Sequence, residues 1–369
     1  MQETPPLEQN VPPKPRFWLR LKRRLLAHVW LVRTGLVLGI IAAIYLTAVF
    51  LSFIFGRLGI INYLHLAGDF LFAPAAQIKA QNGRTNLLIL GKSGTGHDSP
   101  DLTDTIILAS IAQKSPSIDL ISIPRDIWIP EIRAKINSAY YWGKQKEAGG
   151  GLRLAKSLVE EITGLPVHYG LVVDFDGFTE IIDVVGGIEI NVEHSFVDEK
   201  YPIAGKEKDM CGDDRELKCR YETIQFALGL QKMDGPTALK FVRSRNAQGD
   251  EGTDLARAAR QQKVLVAIRQ EILKPSTYLS PVKLWRIWQV VKKSVETDFN
   301  PSAAAILARR AFNARDKIIS RVLSEDLLTH PSVSEQYDFQ YVFIPKAGTW
   351  KEIHDAINCL LDINCLGSR

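Results

Sequence analysis

A chain of 369 residues with 46% hydrophobic and 24% charged positions can bury one large core or two modest ones, which excludes a disordered polymer. Its formal charge of +5 sits almost wholly at one end, because residues 1–33 hold seven Lys or Arg against two Glu. The remainder is near neutral and has no basic field, so nucleic acid is excluded as a partner.

Residues 1–33 are Pro-rich and then basic, the composition of a cytoplasmic tail. Residues 35–55 (GLVLGIIAAIYLTAVFLSFIF) carry no charge over about the length a helix needs to cross a bilayer. Lys14, Arg16, Arg20, Lys22, Arg23, Arg24 and Arg33 precede that run. The span 34–56 is therefore expected to be a retained membrane anchor, with everything downstream outside the cytoplasm. Residues 57–84 read as a linker or stalk. The four cysteines all lie beyond the span, as Cys211/Cys219 and Cys359/Cys365. In an oxidising compartment each pair is expected to close a small disulfide loop, and neither has the CxxC-like spacing of a zinc site.

The folded domain is expected from about residue 85. Residues 86–91 (NLLILG) form a continuous apolar run ending in glycine, as in a central strand. Residues 104–111 (DTIILASI) and 117–123 (SIDLISI) repeat the pattern, and the short turn between them fits an antiparallel hairpin. A polar loop at 92–103 carries His97, Asp98 and Asp101; the histidine reads as a solvated loop residue. After Pro124-Arg125-Asp126, the segment KINSAY enters a helix whose Tyr140, Tyr141 and Trp142 fit either start-of-helix packing or stacking on a sugar. Helix 153–163, strand 167–174, helix 175–185 and strand 188–192 continue an alternation that argues for a layered α/β domain. Residues 195–230 break that rhythm, as an excursion pinned by the first cysteine pair. A helix over 254–273 follows, then helices at 284–295 and 302–312, an alternating strand at 337–344 and a closing helix at 350–361. Trp285 and Trp288 read as core or interface residues.

Polar residues gather in three stretches placed after apolar strands, where an open α/β sheet offers its ligand crevice. The richest is 241–262 (FVRSRNAQGDEGTDLARAARQQ), with Arg243, Arg245, Arg257 and Arg260. Asp254, Arg257 and Gln261 share one helical face, with Arg260 beside it. Charge on a helix usually marks a solvated face, but too few acids stand at pairing distance here. Guanidinium forks in such number suit phosphate oxygens. Arg125, Lys135 and Asn137 would add donors from the other side. Asp104, at the head of a strand, reads either as a carboxylate for Mg²⁺ or as a strand cap or ion pair. A divalent ion with several arginines is how proteins neutralise a pyrophosphate. Walker, GxSxG and HExxH patterns are absent.

TDTIIL, SIPRD, KINSAY, the segment from Gly177-Phe178 to VVGGI, MDGPTALKFVRSR and ARAARQQ stand in the order of the blocks of the LytR-CpsA-Psr family, which the chain resembles over about 85–275. The resemblance implies an α/β/α layered domain with a central mixed sheet, preceded by one transmembrane helix, and a hydrophobic pocket for a polyprenyl lipid. It implies transfer of a glycan polymer from undecaprenyl pyrophosphate to peptidoglycan or another envelope acceptor, with Mg²⁺ as cofactor. By matching position, Asp104 would bind the metal. Arg125, Arg243, Arg245, Arg257, Arg260 and Gln261 would hold the pyrophosphate, with Asp126 and Asp254 orienting arginines. The family's aspartate two residues beyond the first strand's glycine is replaced by Ser93, and its arginine before the TDT step by Leu102. Asp98 or Asp101 would then supply a second metal carboxylate. Residues 276–369 are expected to complete or flank the domain. A lipid pyrophosphatase and a membrane-bound transcriptional attenuator are the competing readings.

Overall fold

The computed structural model describes residues 34, 38, 45–47, 65, 68–94, 99–206, 208–212, 214–314 and 316–361. The chain divides into two compact units, Met1–Gly68 and Asp69–Arg369. The expected basic tail lies outside the described residues, and the expected anchor almost wholly so. Among the described residues no helix is long and apolar enough to cross a membrane.

The second unit is built on β1 (Arg84–Lys92), β2 (Thr103–Ala112) and β3 (Ile118–Ser122). Two short strands, β4 (Trp128–Ile129) and β5 (Ala134–Lys135), pair with each other and lead into α1 (Ala139–Lys146) and α2 (Gly150–Thr163). Then come β6 (Tyr169–Asp174), α3 (Phe175–Val185) and β7 (Ile188–Val192). Asp174 caps α3 through the Gly177 amide, and Gly186 at φ 103° ends it in a left-handed turn open to glycine.

The excursion at 195–230 is a hairpin of β8 (Phe196–Pro202) and β9 (Tyr221–Phe226), closed at its far end by the Cys211–Cys219 disulfide. β10 (Gly229–Met233) returns to pair with β7, and α4 (Gly235–Arg243) leads to α5 (Asp254–Ile272). After α6 (Pro281–Ser294) comes β11 (Val295–Thr297), and after α7 (Pro301–Asn313) comes β12 (Ile318–Val322). β13 (Leu328–Thr329), β14 (Ile344–Pro345) and α8 (Lys351–Leu361) complete the order.

The main sheet is mixed and runs β11-β6-β1-β2-β3-β12, so residues beyond 276 supply both its edges. Side chains alternate cleanly along its strands. Leu88, Leu90, Ile106, Leu108, Ile121 and Ile123 face α1, α2 and α8, packing on Tyr140, Leu158, Ile162 and Ile353. Leu87, Ile89, Ile107, Ala109, Ile118 and Leu120 face the opposite way, toward α5 and α7. The result is the expected α/β/α sandwich. Each fully buried Leu or Ile contributes about 1.5–3 kcal/mol. A further cluster joins α3, α4, α5 and the β7–β10 strands, with Phe196, Phe226 and Phe241 stacked at its centre.

One expectation is corrected at this level, and another falls partly outside the described residues. The alternation over 337–344 does not make one strand, because Asp338 and Phe339 take positive φ values of 49° and 55° and turn the chain. Of the second cysteine pair, Cys365 lies outside the described residues, and Cys359 is a free, half-buried thiol.

Candidate active site

The β2–β3 hairpin brings the first two polar residues together. Its register pairs Ile107 with Ser122, and three residues further out Asp104 and Arg125 stand opposite each other. Arg125 Nη1 donates to Asp104 Oδ1, and Arg245 Nη2 lies 3.0 Å from the same oxygen. Burial pushes the Asp104 carboxyl up, but the charges of Arg245, Arg125 and Arg257 outweigh it and hold the group below the usual carboxylate range. Asp104 is thus ionised throughout the neutral range.

Arg257 and Gln261, four residues apart near the start of α5, present one face to Asp104. Together these three residues form the wall between two clefts. The first, about 500 Å³, is also lined by Ile106, Pro124, Arg125, Asp126, Leu255 and Phe343. The second, about 880 Å³, is lined by Phe175, Lys200, Tyr221, Arg243, Arg245 and Asn246. Arg243 stacks at 4.6 Å on Phe175 and donates to the Tyr201 hydroxyl at 3.3 Å. Burial pushes the Tyr201 phenol up against the opposing pull of Arg243, so it stays protonated.

Several expected site residues stand close behind this wall. Lys135 Nζ binds Asp126 Oδ1 at 2.6 Å, and Asp126 Oδ2 lies 3.3 Å from Arg125 Nε. The Asn137 backbone amide donates to the Arg125 carbonyl at 3.2 Å, and its carbonyl accepts from Thr103 Oγ1 at 3.1 Å. Asp254 opens α5 behind the Thr253 cap. Arg260 is not brought to either cleft. Its guanidinium, 2% exposed, donates to the carbonyls of Phe241, Ser244 and Glu251 and to the Glu251 carboxylate at 2.7 Å. It clasps the 241–251 loop to α5, with four of its five N–H donors spent on protein.

On the metal side, Asp98 and His97 lie outside the described residues. Asp101 is covered by Lys92 at 2.9 Å and Lys144 at 2.8 Å, which leaves its carboxylate spent on cations. Among the described residues the one grouping of three metal-capable side chains is Asp209, Cys211 and Cys219, and both its sulfurs are consumed by the disulfide. Asp104, ionised, half-buried and facing both clefts, is the carboxylate that would be offered to a hard divalent cation, although Arg125 and Arg245 share its Oδ1 here. Mg²⁺ commonly binds through one or two carboxylates, with waters and substrate phosphates completing its shell.

One functional residue had no signal in the motifs. Asp198, fully buried on β8, accepts from Ser244 Oγ at 2.7 Å and from the Arg245 and Asn246 amides at 3.1 Å each. It fixes the backbone that carries Arg243 and Arg245. Lys200 and Tyr221 come from the same hairpin, so the excursion supplies a wall of the second cleft. A lone aspartate beside Glu199 and Lys200 in a charged segment gives no sequence cue to this role.

A third cavity, about 800 Å³ and apolar in its lining surface, lies between the sheet and two helices. Leu87, Ile89, Leu120, Leu265, Val266 and Leu307 are among its walls. Gln262 Nε2 donates to Ser122 Oγ and the Arg321 carbonyl at 2.7 Å each, tying α5 to β3 and β12 between the polar clefts and this cavity.

An α/β/α sheet with an arginine-lined crevice at its strand ends defines an α/β protein with a polar crevice where such sheets place their ligands. The chain belongs to the LytR_cpsA_psr family, whose model matches residues 70–357. The polyisoprenyl-teichoic acid–peptidoglycan teichoic acid transferase TagU of Oceanobacillus iheyensis is 29% identical over 245 residues, covering 66% of this chain and 67% of the relative. TagU of Bacillus cereus is 28% identical over 217 residues, and the match spans 58% of this chain and 60% of the relative's length. The crystal structure of TagV from B. subtilis shares the fold, with a TM-score of 0.52 at 22% identity over 76% of this chain and 97% of that one.

Proposed function

We propose that this chain is a membrane-anchored, Mg²⁺-dependent phosphotransferase that moves a glycan polymer from a polyprenyl pyrophosphate, undecaprenyl pyrophosphate, to a peptidoglycan acceptor. The observation that carries this reading is the course of α5. Arg257 and Gln261 line the polar clefts, and Leu265, Val266 and Arg269 line the apolar cavity. From Arg257 to Val266 the helix advances roughly 13 Å at about 1.5 Å per residue. An anionic head beside an apolar slot is the shape of a lipid pyrophosphate. The names of the TagU relatives, which join a polyisoprenyl-linked polymer to peptidoglycan, support the same substrate classes. The Cys211–Cys219 disulfide supports a site on the oxidising side of the membrane.

In this reading the acceptor hydroxyl attacks the sugar-linked phosphorus, a new phosphoester bond forms, and the polyprenyl phosphate leaves as the pyrophosphate bond breaks. Arg243 and Arg245 hold the phosphates from one side, and Arg125 and Arg257 from the other. Guanidinium forks preset by Tyr201, Asp126 and Asp104 meet the charge that develops on the transferring group without reorganising. Asp104 would hold Mg²⁺, which supplies charge neutralisation to the phosphate oxygens.

The test is transfer of labelled lipid-linked glycan by the purified protein, with and without peptidoglycan. Arg243→Ala and Arg245→Ala should each lower transfer by at least about 100-fold while the protein stays folded. Wild-type rates in either variant would overturn the proposal. Release of glycan phosphate without peptidoglycan at the full rate would instead mark a pyrophosphatase.

A further inference from the structure

α6 carries a surface that the clefts do not use. Its sequence, PVKLWRIWQVVKKS, holds four Lys or Arg and no Asp or Glu. Along it Val282 is 62% exposed, Trp285 55%, Leu284 45% and Trp288 38%, and Leu279 just ahead is 70% exposed. At about 100° per residue Val282, Leu284, Trp285, Trp288, Gln289, Lys292 and Lys293 fall on one broad arc, opposite the buried Val290 and Ser294. The helix is held firmly on its inner side. Lys283 Nζ donates to the Val185 carbonyl at 2.9 Å, and Ser294 packs so closely on Gly177 that an added Cβ would lie 2.4 Å from it.

Large apolar side chains aligned over about two turns, on a helix already anchored by its other face, mark a contact surface. Tryptophans flanked by Lys and Arg suit the boundary between lipid headgroups and acyl chains. Lys293 shares Glu180 at 3.4 Å, whereas Arg286 and Lys292 have no ion pair among the described residues. A second copy is a poor occupant, because symmetric pairing would set these cations against their own counterparts. We propose that α6 lies flat on an anionic phospholipid surface, with Val282, Trp285 and Trp288 immersed and Arg286 and Lys292 at the headgroup phosphates. This surface is separate from the transfer site and does not depend on that chemistry.

The test uses the full chain reconstituted into vesicles of phosphatidylglycerol with brominated acyl chains, which quench immersed tryptophans. The emission lost on Trp285→Phe/Trp288→Phe isolates the two residues. That difference emission should be quenched at least about twofold in brominated phosphatidylglycerol and far less in brominated phosphatidylcholine. Arg286→Glu/Lys292→Glu, a surface change whose fold is checked by circular dichroism, should abolish the quenching. No quenching in phosphatidylglycerol overturns the proposal, as does equal quenching in both lipids. A blue shift that instead follows protein concentration in lipid-free detergent would identify a second copy as the occupant and also overturn it.

Discussion

Arg245 and Arg260 are the same residue type in one charged stretch, and their surroundings give them opposite work. The Arg245 guanidinium reaches Asp104 at 3.0 Å from a partly open cleft, whereas every donor edge of Arg260 meets protein in a site 2% exposed. Replacing an open partner of Asp104 removes an ion pair worth no more than about 1 kcal/mol. Truncating Arg260 strands the Glu251 carboxylate and three carbonyls, and also strips the cation from the Phe196 ring that it covers at 4.8 Å. Arg260→Ala should therefore destabilise the domain by roughly 3 kcal/mol, read as a lower urea midpoint at unchanged slope. Arg245→Ala should unfold at nearly the wild-type midpoint. If the two variants unfolded together, the division between clamp and clasp would be wrong.

Among elements, the β2–β3 hairpin was legible because a short turn between two apolar runs dictates register, and register sets Asp104 against Arg125. The arginines at 243, 245 and 257 were legible as charge without enough acid to balance it. The course of the Arg260 side chain was not legible, because spacing places a residue on a helix but not the direction its guanidinium takes. The edge strands β11 and β12 were not legible at all: three and five residues long, they are strands only because the sheet is there to pair with them. The β8–β9 hairpin was legible as a disulfide-pinned excursion and no more, since Asp198 acts through backbone amides far along the chain. That role makes Asp198 the sharpest test at this scale. Asp198→Asn would turn an amide against the donors it now accepts. We expect a loss of about 2 kcal/mol and faster hydrogen exchange at the Arg245 and Asn246 amides. Transfer should fall about a hundredfold, through misplacement of Arg243 and Arg245 by an ångström or so. Unchanged exchange at those amides would remove Asp198 from the account.

Across the whole second unit, the polar clefts and the apolar cavity answer to different parts of the chain yet share α5 as a common wall. The clefts draw mostly on residues 104–126 and 200–261, with Phe175 from α3 and Val322, Leu323 and Phe343 from beyond 276, whereas the cavity closes only when α7, from the part beyond 276, lays Leu307, Ala308 and Ala311 over the sheet. A domain cut near Pro275 would keep its arginines and lose the lid of its apolar slot. If that slot holds the prenyl tail, tail length and cavity volume must trade against each other, and head-group chemistry should be indifferent to both. Ala311→Trp narrows the cavity by placing an indole among Leu265, Leu307 and Ile318, side chains that already favour apolar contact. The fold should survive with a melting temperature near wild type. KM for a long-chain polyprenyl pyrophosphate donor should rise at least tenfold, and KM for a water-soluble donor with a short prenyl chain should not change. An equal rise for both donors would place the defect in the clefts, and no rise for either would assign the lipid tail to another surface.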